Sequence, residues 1–335
     1  MNIIEFYRQD VIENCFKTKS FSNAWEVWEK VIIQKLGKDY NWNDILNLGE
    51  NLSDVFFSTR GDVEEGLSVA QANSKASTSG TAWECLVTWY LNLVFLNSRA
   101  VVFKKTSDVP SPLTDGLKVM HNNTATNSES DLIVVIFPKI PHFSDDLLQV
   151  PLTDNRSKPY VPDGNKPAGL YKSGSPKKVN IDKYAAKVCE EYYGKFEMGV
   201  IQCKTNWNEN SQIPMLWDIV YRLGKNIDRD IPNFKVGSNG FSIIQLKRFT
   251  YSFLTVPTNS RENYKATTLA VNRVRNLSGG NYWGFPDKQS VASSTKQIFD
   301  NNFMSAFDGS IRQSLQNVIE KKPELLEGFQ LEVFK

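Results

Sequence analysis

MGVIQCKTNWNEN, from Met198 to Asn210, is an apolar strand that breaks into polar residues at its end. Side chains two apart on a strand point the same way, so Gln202 and Lys204 share one face and Cys203 turns to the opposite, buried side. A second strand-like run lies upstream, Asp131-Leu132-Ile133-Val134-Val135-Ile136-Phe137, with a carboxylate at its entrance and Pro138 at its exit. An acid, an amide and an amine thus fall on neighbouring strands. Metal-assisted hydrolysis of a phosphodiester asks for such a set: oxygen ligands for a hard cation, an activated water, and positive charge near the developing phosphorane. In that chemistry Asp131 holds Mg²⁺, Gln202 adds an amide oxygen, and the main-chain carbonyl of Cys203 adds another. Lys204 orients the attacking water or helps to deprotonate it, and Glu84 supplies a supporting carboxylate or serves a second ion.

Working outward, the helix expected over Thr81 to Asn97 is apolar on almost every side, which is the profile of a helix buried between layers. Its polar exceptions, Glu84, Thr88 and Asn92, fall four apart and form one stripe. Glu84 then sits in a first turn, where the helix dipole favours a negative charge, or is an acid aimed at a site. The small, polar residues 58 to 80 read as a loop, with Gln71, Asn73 and Lys75 available to a polar ligand. Residues 1 to 60 carry three helical periods of apolar residues, among them Trp25, Trp28 and Ile32.

A strand is expected from Arg99 to Phe103, then a polar connection from Thr106 to Glu129. A long proline-containing insertion follows residue 139, and its Lys166, Lys172, Lys177 and Lys178 either line DNA or decorate a solvated loop. Ile181 to Tyr193 reads as an amphipathic helix leading into the key strand, and Gln212 to Leu223 as a helix following it. Phe241 to Lys247 and Thr250 to Val256 read as strands, and 294 to 321 as two helices. The order helix, strand, strand, strand, helix, strand indicates a mixed α/β layer structure.

Composition narrows the chemistry. The 335 residues are 41% hydrophobic and 12% aromatic, enough for one large core or two modest ones. The formal net charge is +2, so nucleic-acid binding would come from local clusters rather than bulk charge. Cys15, Cys85, Cys189 and Cys203 form no CxxC pair, which favours reduced thiols and a cytoplasmic setting and disfavours a zinc site. His121 and His142 are the only histidines, too few for a His-rich metal centre with candidates to spare. No run reaches the length of a membrane span.

Asp131, followed by Gln202-Cys203-Lys204 at the end of an apolar strand and preceded by a helix beginning Ser79-Gly80-Thr81-Ala82-Trp83-Glu84, resembles the PD-(D/E)xK nuclease superfamily, and within it the type II restriction endonucleases. Gln71-Ala72-Asn73-Ser74-Lys75, just ahead of that helix, adds to the likeness, which covers roughly residues 70 to 256. The resemblance implies a restriction-endonuclease-like central mixed β-sheet flanked by helices, Mg²⁺-dependent double-strand cleavage of DNA, and a paired DNA methyltransferase. It divides the chain into a helical N-terminal region (1–60), a nuclease core (61–257) with an insertion at 139–197, and a C-terminal DNA-contacting and helical region (258–335). A palindromic target implies a homodimer.

The sequence departs from the family pattern at Ser130, where proline is usual, and at Gln202, where an acid is usual, so the site loses a negative charge. A non-catalytic DNA-binding descendant, or a structure-specific repair or resolvase nuclease, therefore stands beside restriction. Gln245-Leu246-Lys247 is a second Gln-x-Lys run, set aside because strand rather than helix is expected after it. Residues expected to touch DNA are Asn73, Lys75, Lys177, Lys178, Asn208, Lys247, Arg248, Arg261, Arg273 and Arg275.

Overall fold

A computed structural model of the chain describes residues 1–59, 69–121, 124–126, 130–146, 171–172, 175–176, 178–205, 234–256, 280–282 and 302–335. Four helices come first, α1 (Ile3–Phe16), α2 (Lys19–Leu36), α3 (Trp42–Asn47) and α4 (Leu52–Phe57), then the long α5 (Val69–Val94). Polar caps set the starts of two of them: Asn2 accepts the Glu5 N–H into α1, and Asn41 with Asp44 forms a capping box for α3. There follow β1 (Ala100–Phe103), α6 (Ser111–Leu117), β2 (Val119–His121), β3 (Thr124–Thr126), β4 (Leu132–Ile136), α7 (Pro141–Ser144), β5 (Tyr171–Lys172), β6 (Ser175–Pro176), α8 (Lys178–Tyr192) and β7 (Glu197–Lys204). The chain then supplies β8 (Phe234–Val236), β9 (Arg248–Thr255), β10 (Gly280–Tyr282), α9 (Ile311–Lys321) and α10 (Glu324–Glu327).

The central sheet is mixed, with strand order β1-β4-β7-β9-β10. β1 and β4 are antiparallel, as are β4 and β7, whereas β9 runs parallel to both β7 and β10. Its inner strands β4 and β7 are buried on both faces, so they are continuous apolar runs rather than alternating ones. One face, through Val134, Ile201 and Cys203, packs on α2, α5 and α9. The other, through Ile133, Val200 and Tyr251, packs on α1, α6 and α8. The N-terminal helices therefore share core with the sheet: α1 reaches both faces, with Tyr7 in one cluster and Cys15 in the other. Among the described residues, no helix is long and apolar enough to cross a membrane.

The stripe on α5 has a structural purpose. β1 is an edge strand, and the Asn92 side chain meets it as another strand would, donating to the Val102 carbonyl (2.9 Å) and accepting from its N–H (3.1 Å). Thr88 donates back to the Glu84 carbonyl at 2.7 Å. On α1 the buried Arg8, ion-paired with Glu5, donates to the carbonyl of Ala100 at 2.6 Å and ties that helix to the same strand.

Three sequence expectations are corrected. The loop expected over residues 58 to 80 gives way to helix from Val69, so α5 is twelve residues longer than the 81–97 reading at its start and Glu84 lies in its interior rather than its first turn. Small residues such as Ala70, Ala72 and Ala76 supply helix propensity without an apolar face, so periodicity could not register them. The strand expected over Phe241 to Lys247 is a 3₁₀ turn at Ile243–Gln245, where Gln245 caps the Ser242 N–H at 2.8 Å. That second Gln-x-Lys run is thereby a turn cap. The connection after Thr106 holds α6 and two strands of a small sheet ordered β3-β2-β8. The helix expected over Gln212 to Leu223 lies outside the described residues.

Candidate active site

Strand register assembles the site. β4 and β7 pair with Leu132 opposite Ile201, so Asp131, one residue before β4, arrives opposite Gln202. Opposed residues of an antiparallel pair point to the same face, which sets Asp131, Gln202 and Lys204 together. The Asp131 carboxylate accepts the Gln202 side-chain amide at 2.5 Å and the Cys203 backbone N–H at 2.8 Å, both on Oδ2. Lys204 Nζ lies 3.6 Å from the same oxygen. Gln202 is almost fully buried, with 1% of its surface exposed, and its amide oxygen accepts from the Tyr251 hydroxyl at 3.4 Å. A buried amide needs partners at both ends, and these two provide them.

Backbone direction supplies a further oxygen. The Lys204 carbonyl accepts from Val256 N at 2.8 Å, on the side of β9. Because successive strand residues alternate the edge they present, the Cys203 carbonyl faces the β4 side, as its N–H does. Asp131 carboxylate, Gln202 amide oxygen and Cys203 carbonyl are hard oxygen donors of the kind that suits Mg²⁺. Among the described residues no group of three His, Cys, Asp or Glu side chains could hold a metal.

Glu84 reaches the same end of the sheet from the opposite layer, that of α5. It is ion-paired with Lys104, just past β1, at 3.1 Å. On the α5 face lies the Cys203 thiol, which burial pushes well above its ordinary pKa, with the Asp131 and Glu84 charges adding to the effect and Lys204 and Lys104 opposing it. Burial presses the Lys104 ammonium down, but the neighbouring Cys85 and Glu84 outweigh it and its pKa is raised. Trp83 anchors this part of α5 by donating from its indole nitrogen to the Leu254 carbonyl at 3.0 Å.

The other expected residues are dispersed. Lys178 bridges Asp10 and Asp182, each at 3.3 Å, and Asp108 at 3.7 Å, a network joining α8 to α1. Lys247 pairs with the buried Glu197 at 2.6 Å, and Arg248 is exposed at the start of β9. Asn73 and Lys75 lie in the first turns of α5, their side chains outside what is described. Lys177, Asn208, Arg261, Arg273 and Arg275 lie outside the described residues. Sequence reasoning missed Tyr251 and Lys104. The signal for Tyr251 was a tyrosine in an apolar strand, whose hydroxyl needs a partner once buried.

No protein-family model matches the chain, and comparison with curated proteins returns no relative.

Proposed function

We propose that this protein is a Mg²⁺-dependent type II restriction endonuclease that makes site-specific double-strand cuts in DNA by hydrolysing phosphodiester bonds. The observation that carries the reading is the convergence of Asp131, Gln202 and Lys204 on one face at the end of β4 and β7. The architecture supports it: a mixed central sheet flanked by helices, with a buried helix ahead of the strands that carry the site, agrees with what the resemblance implies.

Asp131, Gln202 and the Cys203 carbonyl would hold the cation. When bound, it supplies positive charge to the phosphate and makes water a better nucleophile. Asp131 orients the site through two hydrogen bonds on one oxygen, and its charge in turn keeps Lys204 close. As an ammonium, Lys204 would bring positive charge and N–H donors to the phosphate and orient the attacking water; as a neutral amine it would instead take that water's proton and become the ammonium. The buried walls of Val200 and Phe253 keep bulk water from the ends of the strands. A palindromic target would be read by a homodimer, with a DNA methyltransferase protecting the host sites.

A second reading is favoured by one observation. Oδ2 of Asp131 already takes the Gln202 amide, the Cys203 N–H and the Lys204 ammonium, a self-neutralised arrangement that suits a DNA-binding protein without catalysis. Incubating phage DNA with the purified protein, in Mg²⁺ or in EDTA, separates the two. Discrete Mg²⁺-dependent fragments support restriction, and a smear points instead to a structure-directed repair or resolvase nuclease. Intact DNA that is nevertheless retarded in a gel supports the binding protein.

A further inference from the structure

Gln202 is the residue on which the chemistry turns, and its amide now faces the wrong way for a ligand. A carboxylate can only accept hydrogen bonds, so the amide group 2.5 Å from Asp131 Oδ2 must present nitrogen to it. The amide oxygen is thereby turned to the Tyr251 hydroxyl, 3.4 Å away. A cation shared by Asp131 and Gln202 needs that oxygen on the side of Asp131. The last side-chain torsion of Gln202 must then turn by about half a revolution, a broad and roughly two-fold torsion with two wells of similar shape.

We infer that Tyr251 is a positioning residue that serves both orientations of the Gln202 amide, and so permits a divalent cation to bind between Asp131 and Gln202. The inference rests on the reading of this site as a metal-dependent one. Tyr251 lies on β9 opposite Val200, and its ring belongs to the same core face as Val200 and Phe253, which flank the Gln202 side chain. Its hydroxyl is able to donate or accept. In the observed orientation it donates to the Gln202 oxygen. In the turned orientation it accepts from the Gln202 nitrogen, which has lost Asp131. Phenylalanine does neither.

The two losses are unequal. The contact is long at 3.4 Å in either orientation, so what differs is the group that its loss leaves behind: in the observed state a carbonyl oxygen. In the turned state the amide N–H would be left buried without a partner, and orphaned buried N–H groups are rarer and costlier than under-satisfied carbonyls. Tyr251→Phe therefore penalises the cation-bound state more than the free one. The expected result is about a tenfold weaker affinity for the cation.

Mn²⁺ binding to the full chain, followed by electron paramagnetic resonance without DNA, tests this apart from any activity. The variants are Tyr251→Phe, Gln202→Met and the double substitution, with Asp131→Ala to identify the site and circular dichroism to check folding. A roughly tenfold loss in Tyr251→Phe that disappears in the Gln202→Met background is expected, because a thioether has no amide to satisfy. Tyr251→Met, a second variant without the hydroxyl, should give the same loss. Unchanged affinity in Tyr251→Phe, or an equal loss in the Gln202→Met background, overturns the inference and leaves the nuclease reading standing. If the unsubstituted chain binds no Mn²⁺ that Asp131→Ala removes, both fall together.

Discussion

Replacing Gln202 by glutamate sets a second carboxylate where the amide now donates to Asp131 at 2.5 Å. Two charges at that separation repel by roughly 7 kcal/mol at an effective dielectric of about 20. The site can escape by taking up a proton, which caps the penalty. For a glutamate with an ordinary pKa near 4.3, holding a proton at pH 7 costs about 3.7 kcal/mol. Lys204, 3.6 Å from Asp131, offsets part of the repulsion, leaving about 2–3 kcal/mol of destabilisation without metal. At roughly 2 °C per kcal/mol for a chain of this size, Gln202→Glu should melt about 4–6 °C below the parent in EDTA at pH 7. The sign with pH follows: an acid whose folded pKa is raised destabilises above that value and ceases to do so below its unfolded one. The deficit should therefore shrink to about 1 kcal/mol by pH 5. Mg²⁺, which two carboxylates hold better than one, should reverse it at pH 7. Thermal melts across this pH range, with EDTA or Mg²⁺, provide the assay. A variant that melts with the parent in EDTA at every pH would mean that side chain 202 does not face Asp131, and the reasoning about the site would fail.

Asn92→Leu should cost about 3 kcal/mol in urea denaturation, because the Val102 N–H and carbonyl both lose their partner at the edge of the sheet; a cost below about 1 kcal/mol would contradict that account. Gly199→Ala should cost about 1–3 kcal/mol, since a Cβ there would meet the Thr250 hydroxyl at 2.7 Å and the Phe303 ring at 2.8 Å. Phe303→Leu should recover part of that loss, and additive effects in the double variant would argue against a clash with the ring. Burial alone would raise the pKa of Glu197, but hydrogen bonds from Lys247 and Ser305 outweigh it and hold the value below the usual range. Its contribution is therefore complete above about pH 4.3 and fades as pH falls through the lower folded value. Melting temperatures of Glu197→Gln should accordingly decline less steeply below about pH 4 than those of the parent, and equal slopes would remove Glu197 from the explanation of acid sensitivity.

Much of the sheet was legible because its inner strands are short apolar runs bounded by polar residues. Leu132 to Ile136 and Gly199 to Ile201 could be paired in the mind only through what stood at their ends, Asp131 and Gln202, and the observed register brings those ends together. The buried profile around Trp83, Trp89 and Leu93 likewise announced a helix between layers. What escaped was decided by partners rather than pattern. The first three turns of α5 have helix-forming residues but no apolar period, and Gln245 became a cap because the Ser242 N–H lay within its reach. Thr88 and Asn92 share a stripe with Glu84 in the sequence, but the bonds that explain them belong to the backbone of α5 and to the edge of β1. Tyr251 could not be joined to Gln202 before β9 was known to lie beside β7, since parallel strands meet only through a long connection.

Single-turnover cleavage of end-labelled phage DNA by the parent, Asp131→Ala and Lys204→Ala, in Mg²⁺ and at matched folded fractions, bears most directly on the central claim. The account predicts discrete fragments from the parent and a rate reduced at least about a hundredfold in each variant, as loss of a catalytic charge or proton-transfer group entails. Fragments that persist at the parental rate in both variants would place the chemistry elsewhere, and DNA left intact by the parent in Mg²⁺ would contradict the nuclease reading itself.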